Sequence, residues 1–170
     1  MAHQGVSTVD AARDRRPLRV LVADDAYLVR EGLRQLLELT DAVVVVGGCV
    51  DEPQTLAAVD ADPPDVLVTD IRMPPTLTDE GIRIAEKLRV THPGVGIVVL
   101  SQDGDVAFAA RLLKDGASGR GYLLKDRVHD LDHLVSTIVA VSRGECRVDP
   151  GLVQQLVRQQ HNPASPLDCL

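Results

Sequence analysis

The sequence predicts a doubly wound α/β domain built on a parallel sheet, and three observations predict it. Five short apolar runs rich in Val, Leu and Ile each lead, after a few residues, into an amphipathic segment of helical period. The runs are continuous rather than alternating, as strands covered on both faces require. At four of the five run ends stands a group suited to phosphate or to a cation: Asp24 and Asp25, then Asp70, Ser101 and Lys125. In an open parallel sheet the carboxyl ends of the strands share one edge, where ligands bind.

Each element has its own signal. Residues 1–17 are polar and read as a flexible N-terminal arm without the apolar stretch of a secretory leader. Residues 18–23 form the first strand, and a helix over 26–39 follows with Leu28, Val29, Leu33, Leu36 and Leu37 on its inward stripe. The second strand is 43–47; Asp51 then caps a short helix carrying Leu56, Ala57 and Val59. Pro63 and Pro64 end that helix ahead of the third strand, 66–69. After Asp70, two prolines at 74 and 75 deny a helix and force a loop, and the helix 80–91 carries Ile82, Ile84, Ala85 and Leu88. The fourth strand, 97–100, ends at Ser101; Asp105 caps the helix 106–114, and Gly116 terminates it. The fifth strand, 121–124, runs straight into Lys125, and a helix over 131–143 closes the unit at Gly144. Beyond it, Asp149-Pro150 opens a further amphipathic helix with Leu152, Val153, Leu156 and Val157 on one face, followed by a linker-like tail.

Composition excludes several functions. At 170 residues the chain suits one domain with appendages. With one Phe, two Tyr and no Trp, its core must be aliphatic. A net charge of −7 and the lack of any Lys/Arg block argue against this chain gripping nucleic acid by itself. Cys49, Cys146 and Cys169 lie too far apart for a zinc site or a redox pair. No apolar segment is long enough to span a bilayer, so a soluble, cytoplasmic protein with no membrane partner is expected. Residues 60–65 imitate a calcium loop but lack its Gly and terminal Glu, and they precede a strand, on the wrong edge of the sheet.

The three carboxylates Asp24, Asp25 and Asp70 are the decisive cluster. Gathered at one sheet edge they repel one another by about 4 kcal/mol per pair at ~4 Å and an effective dielectric near 20, which a divalent cation relieves. Each strand-end residue alone reads equally as a turn, a helix cap or a solvated charge. The joint occurrence of two acids, a third acid, a hydroxyl and a lysine is specific.

In this light Leu-Val-Ala-Asp-Asp, Leu-Val-Thr-Asp-Ile-Arg-Met-Pro, Val-Val-Leu-Ser and Gly-Tyr-Leu-Leu-Lys resemble, in order and spacing, the receiver domain of two-component response regulators of the LuxR/FixJ type. The resemblance covers residues 18–144 and implies a flavodoxin-like five-stranded sheet of order 2-1-3-4-5. It implies that residues 145–170 are a linker helix and tail leading to a helix-turn-helix DNA-binding domain not present in this chain. It further implies that Asp70 is the phosphoacceptor and that Mg²⁺ is held by Asp25, Asp70 and the carbonyl of Arg72 directly and by Asp24 through water. Lys125 would neutralise the phosphoryl group and Ser101 would hydrogen-bond it. On phosphorylation Ser101 would move and Tyr122 rotate inward. The implied partners are a sensor histidine kinase, docking near Arg30, Arg34 and the Asp126-Arg127 loop, and a second copy in a homodimer. DNA would be reached only through the missing domain.

Three departures from that pattern stand out. Thr76-Leu77-Thr78 lengthen the loop after Asp70, giving a partial lid, a dimer contact or a tolerated insertion. Gln102 replaces a small residue and is expected to restrict entry to the site. Arg72 and Asp103, of opposite charge on neighbouring loops, are expected to pair across the site and shield the acyl phosphate. Two other readings remain. One is a degenerate receiver acting as a phosphorylation-independent dimerisation or interaction module, against which the complete acid, hydroxyl and lysine set speaks. The other is an aspartyl-phosphate hydrolase, which would need a second acid close after the nucleophile, where Arg72 stands.

Overall fold

The computed structural model describes residues 16–159. All but the end of the arm expected over 1–17, and the tail after 159, lie outside the described residues. Strands β1 (Leu18–Ala23), β2 (Val43–Cys49), β3 (Val66–Asp70), β4 (Gly96–Ser101) and β5 (Arg120–Leu124) alternate with helices α1 (Tyr27–Leu37), α2 (Glu52–Ala61), α3 (Glu80–Thr91), α4 (Val106–Leu113) and α5 (Leu131–Ser142). A two-residue strand β6 (Arg147–Val148) and a helix α6 (Pro150–Gln159) follow.

The sheet is parallel throughout, with order β2-β1-β3-β4-β5-β6. The expected order of the first five strands holds, and the sixth is an addition. A two-residue strand carries no periodicity to read. It exists because the chain turns back after α5 at Gly144, whose φ of 85° suits a residue without Cβ. Arg147 and Val148 can then pair with Gly121 and Tyr122.

Alternate residues of each strand enter opposite cores. Leu21, Leu67, Ile97 and Val99 face α2, α3 and α4, whereas Val20, Val66, Val68, Val98 and Leu100 face α1 and α5. Leu28 departs from its expected inward place and is 82% exposed. Leu33 and Leu37 set the buried line of α1, and Leu28 lies about 140° around the helix from Leu33 at 100° per residue. Strand β2 runs two residues past its expected end because Gly47, Gly48 and Cys49 keep their ladder with β1, after a register shift beside Leu21.

Gly144 does not mark a break in packing. Leu152 and Leu156 of α6 are buried in the same cluster as Val106, Ala109 and Tyr122, and the Asp149 N–H donates to the Tyr122 carbonyl at 3.0 Å.

The lengthened loop after Asp70 folds back onto one buried carboxylate. Glu80 is fully buried. It accepts hydrogen bonds from Thr76 N and Thr76 Oγ1, both at 2.6 Å, and from Thr78 N at 2.9 Å. Arg83 lies 3.1 Å from Glu80 and also donates to Glu52 at 2.8 Å, tying α3 to α2. Burial opposes the charge on Glu80, but these bonds outweigh it and hold the carboxyl at about 2. Its stabilisation is therefore complete above the unfolded value of about 4.5 and is lost as pH falls from there toward about 2. Glu80→Gln is expected to lower unfolding free energy by about 2 kcal/mol at pH 7. In urea titrations the gap from wild type should narrow at pH 3; a gap unchanged by pH would refute the charge-based account.

Candidate functional site

Four strand ends converge on one cleft of about 580 Å³. Strand β1 delivers Asp24, whose Oδ1 accepts the Ala26 N–H at 2.9 Å at the start of α1. Its Oδ2 accepts from Lys125 Nζ at 3.0 Å, and the residue is 1% exposed. Asp25, next in the chain, is exposed on the cleft. Strand β3 delivers Asp70. Its Oδ1 accepts the Ile71 N–H at 2.8 Å and pairs with Lys125 Nζ at 3.2 Å, whereas no hydrogen bond from a described residue reaches Oδ2. One carboxylate oxygen is thus anchored and the other left for chemistry.

Carboxylate oxygens of Asp24, Asp25 and Asp70 all lie within 4.8 Å of one another. Burial, and then the neighbouring Asp24 charge, push the Asp70 carboxyl above the usual aspartate range against the pull of Lys125. Burial pulls the Lys125 ammonium down, but its bonds to Asp24 and Asp70 outweigh that and leave it raised. One lysine among three acids leaves the cluster negative, and all-oxygen donors are what a hard divalent cation takes. The residues present fit such an ion.

Ser101 ends β4, is 4% exposed, and its Oγ accepts the Gly104 N–H at 3.1 Å. Gly104 has φ 62°, the left-handed region that lets the loop fold back on the strand end. In this state the Tyr122 ring is fully buried and its hydroxyl donates to the Asp105 carbonyl at 3.0 Å.

Arg72 and Asp103 stand 3.2 Å apart across the cleft, the pairing expected from their charges. Gln102 is exposed and lines the same cleft. The loop 74–79 contributes no residue to the cleft lining in this state, and Thr76 and Thr78 donate instead to Glu80. Arg30 donates to the Asp24 carbonyl at 2.7 Å, and Arg34 is engaged with Glu31 and with Glu38 at 2.9 Å. Both arginines thus have internal partners. Phe108 joins the site unannounced by the sequence, its ring 5.9 Å beneath the Arg72 guanidinium. A lone Phe on an amphipathic helix reads as core, and only the fold aims it at the cleft.

Comparison with known proteins bears directly on this geometry. The response regulator receiver domain pattern matches residues 20–138, most of the chain. The chain belongs to the response regulator receiver domain family. This receiver is 34% identical over 155 residues to the response regulator GacA of Pseudomonas protegens, covering 90% of this chain and 70% of that protein. It is 30% identical over 142 residues to the transcriptional regulatory protein DegU of Brevibacillus brevis, covering 84% of this chain and 57% of that one. The chain therefore spans a little over half the length of DegU. Among solved structures, a LuxR-family two-component response regulator from an Aurantimonas species superposes with a TM-score of 0.73 at 27% identity, covering 84% of this chain and 97% of that one. The signal receiver domain of a NarL-type regulator from Mycobacterium tuberculosis gives 0.67 at 32% identity, covering 76% and 99%. Domains of this family are signalling modules rather than enzymes in the usual sense. No helix among the described residues is long and apolar enough to cross a membrane.

Proposed function

We propose that this receiver accepts a phosphoryl group on Asp70 from the phosphohistidine of a sensor kinase and switches the output of an attached DNA-binding domain. The observation that carries the reading is Asp70 itself, a strand-end carboxylate anchored through one oxygen by Lys125 and the Ile71 N–H. Its other oxygen attacks phosphorus, a P–O bond forms as the P–N bond breaks, and the kinase histidine leaves as neutral imidazole after taking a proton. Phosphoryl transfer asks for positioning and charge stabilisation more than for acid–base chemistry, and an ionised aspartate needs no general base.

Lys125 supplies positive charge toward the phosphoryl oxygens, and Ser101 offers its hydroxyl. Asp24, Asp25, Asp70 and the carbonyl of Arg72 would hold Mg²⁺, which when bound neutralises charge between the acids and the phosphoryl group. Gln102 narrows the approach of small donors. Residues 18–144 form the phosphoacceptor unit, with 145–170 leading toward the output domain. The protein acts in the cytoplasm as a homodimer. A structure titled as RcsB dimers on DNA, 26% identical to this chain, makes that architecture reasonable for a relative.

Intact-mass measurement after exposure to acetyl phosphate with Mg²⁺ tests the assignment, with a cognate kinase as donor if Gln102 excludes the small molecule. Arg72→Ala tests the shielding pair. Both partners are more than half exposed, so their attraction is at most about 1 kcal/mol. The acyl-phosphate half-life should accordingly shorten by up to about fivefold, read as loss of labelled phosphate over time. An unchanged half-life would remove the shield.

A further inference from the structure

Of the three acids gathered at the strand ends, two are placed by contacts of their own side chains and one is not. Asp24 accepts the Ala26 N–H and the Lys125 ammonium, and Asp70 accepts the Ile71 N–H and pairs with the same lysine. Among the described residues, no hydrogen bond or ion pair reaches the carboxylate of Asp25. Asp25 nevertheless brings an oxygen within 4.8 Å of the other two acids. Its position is therefore set through the backbone.

Arg30 supplies that hold. Its Nη1 donates to the Asp24 carbonyl at 2.7 Å, a charge-assisted bond. That carbonyl belongs to the peptide joining Asp24 to Asp25. A peptide is planar, so fixing its oxygen fixes the direction in which the chain enters Asp25. The N–H on the other side of Asp24 donates to the Cys49 carbonyl at 3.0 Å, where β1 meets the end of β2. Arg30 is itself held. The Tyr27 ring, one turn earlier on α1, has its centroid 5.8 Å from the guanidinium carbon. Gly48 of β2 leaves room for the arginine stem, since a Cβ there would already stand 3.6 Å from Arg30 Cδ and 3.8 Å from Nε. The guanidinium is a cation beside a cluster suited to taking up another cation, which is the wrong charge for that task. What it contributes is geometry.

We infer that Arg30 is a positioning residue for the divalent cation, acting through the Asp24–Asp25 peptide, with Tyr27 as its support. The inference rests on the reading of the three acids as the Mg²⁺ site. Resemblance places Arg30 at a kinase-docking surface; its bond to Asp24 gives it a role inside the domain, whether or not a partner is bound. The expected effect has a sign that electrostatics alone reverses. Removing a positive charge from beside three acids strengthens their attraction for a cation, whereas releasing the peptide weakens it.

Unfolding midpoints of the 170-residue chain, followed by circular dichroism across a Mg²⁺ series at constant ionic strength, give the affinity, because stability rises with a ligand bound only by the folded state. Arg30→Met keeps the stem and loses the donor. Its half-saturating Mg²⁺ concentration should rise by about tenfold or more, as for other groups that orient metal ligands. Arg30→Lys keeps the charge and a donor and should stay within about threefold of wild type. Tyr27 is 66% exposed, so Tyr27→Leu should fold, and it should weaken Mg²⁺ by about threefold through loss of the stack. It decides the matter alone if Arg30→Met does not fold. At saturating Mg²⁺, Arg30→Met should gain phosphoryl mass from acetyl phosphate at a rate within about twofold of wild type, as a change confined to metal binding requires.

A merely structural arginine would lower stability equally at every Mg²⁺ concentration, and one that serves docking alone would leave the titration unchanged. Either result overturns the inference and leaves the metal reading standing. So does tighter Mg²⁺ in Arg30→Met, a rate that stays low at saturation, or Arg30→Lys no better than Arg30→Met. Wild-type protein insensitive to Mg²⁺ overturns both. Wild-type protein that Mg²⁺ stabilises but that gains no phosphoryl mass, even from a kinase, overturns the phosphoacceptor assignment and leaves the positioning role intact.

Discussion

Asp70→Asn is expected to abolish phosphoryl acceptance and, with no divalent cation present, to leave the protein more stable than wild type by on the order of 1 kcal/mol. The loss of function follows from removing the nucleophilic oxygen: an amide at this position cannot form the acyl phosphate, so the mass gain given by wild type should vanish. The stability gain follows from electrostatics. Burial and the Asp24 charge raise the Asp70 carboxyl in the folded state. The native protein therefore binds more protons than the unfolded chain between the ordinary aspartate value and the raised one, and stability falls as pH rises through that window. At neutral pH the full penalty applies. The variant relieves carboxylate repulsion of ~3–4 kcal/mol and one buried charge, and forfeits a comparable attraction to Lys125, hence the small net gain. Lys125 keeps Asp24 at 3.0 Å, so it is not left unpaired. Urea titration in EDTA at pH 7 measures the difference. Adding Mg²⁺ should then raise wild-type stability with its concentration, as for any ligand bound only by the folded state, and raise the variant less. A variant less stable than wild type in EDTA would mean that the acids do not repel as their 4.8 Å grouping requires.

That the same substitution should remove function and add stability explains why the site was readable at all. Acids with no local reason to gather stand out against strands whose other residues serve packing, so Asp24, Asp25 and Asp70 could be named from position alone. Short connections and continuous apolar runs made the parallel sheet legible, whereas the order of its first five strands was implied by the resemblance to receiver domains. Residues whose roles arise from contact across long sequence separations were not legible. Asp149 reads as a helix cap, and it is one, but its burial and its ion pair with Arg127 depend on α6 docking. Glu80 reads as the first residue of a helix, whereas its fourfold acceptance of loop donors depends on how residues 76–79 turn back. Leu28 misled because an apolar residue near a stripe is counted into it, and only the direction of α1 decides which line is buried. Tyr122 was assigned motion by resemblance alone; its burial and its hydroxyl's bond to the Asp105 carbonyl arise from packing that no local pattern announces.

Gly81→Ala is expected to be among the most damaging single substitutions in the chain, although it adds one methyl group at the start of a helix. The Gly81 N–H donates to the Ile71 carbonyl at 2.8 Å, fastening α3 to the strand end that carries Asp70. At that approach a Cβ would lie 2.0 Å from the Asp70 carbonyl oxygen and 2.9 Å from both Asp70 C and Ile71 Cα. All three are backbone atoms, so no rotamer change relieves the clash. Either α3 lifts from the sheet, breaking the bond to Ile71 and disturbing Glu80 beside it, or the Asp70 peptide moves. Overpacking of this kind costs about 3 kcal/mol or more. If the peptide is what gives way, the Asp70 carboxylate leaves its place between Lys125 and the Ile71 N–H, and displacement of a reacting group by about 1 Å can slow a reaction by ~10²-fold. Phosphorylation of the folded fraction should thus slow at least tenfold. Gly32→Ala is the matched control. Gly32 lies inside α1 with nothing within 4 Å of its would-be Cβ, so alanine there should gain about 0.5–1 kcal/mol from helix propensity alone. Urea midpoints and phosphorylation rates measured on both variants separate the two effects. If Gly81→Ala matched Gly32→Ala in stability and wild type in rate, α3 would not be seated on Asp70 as closely as these distances require.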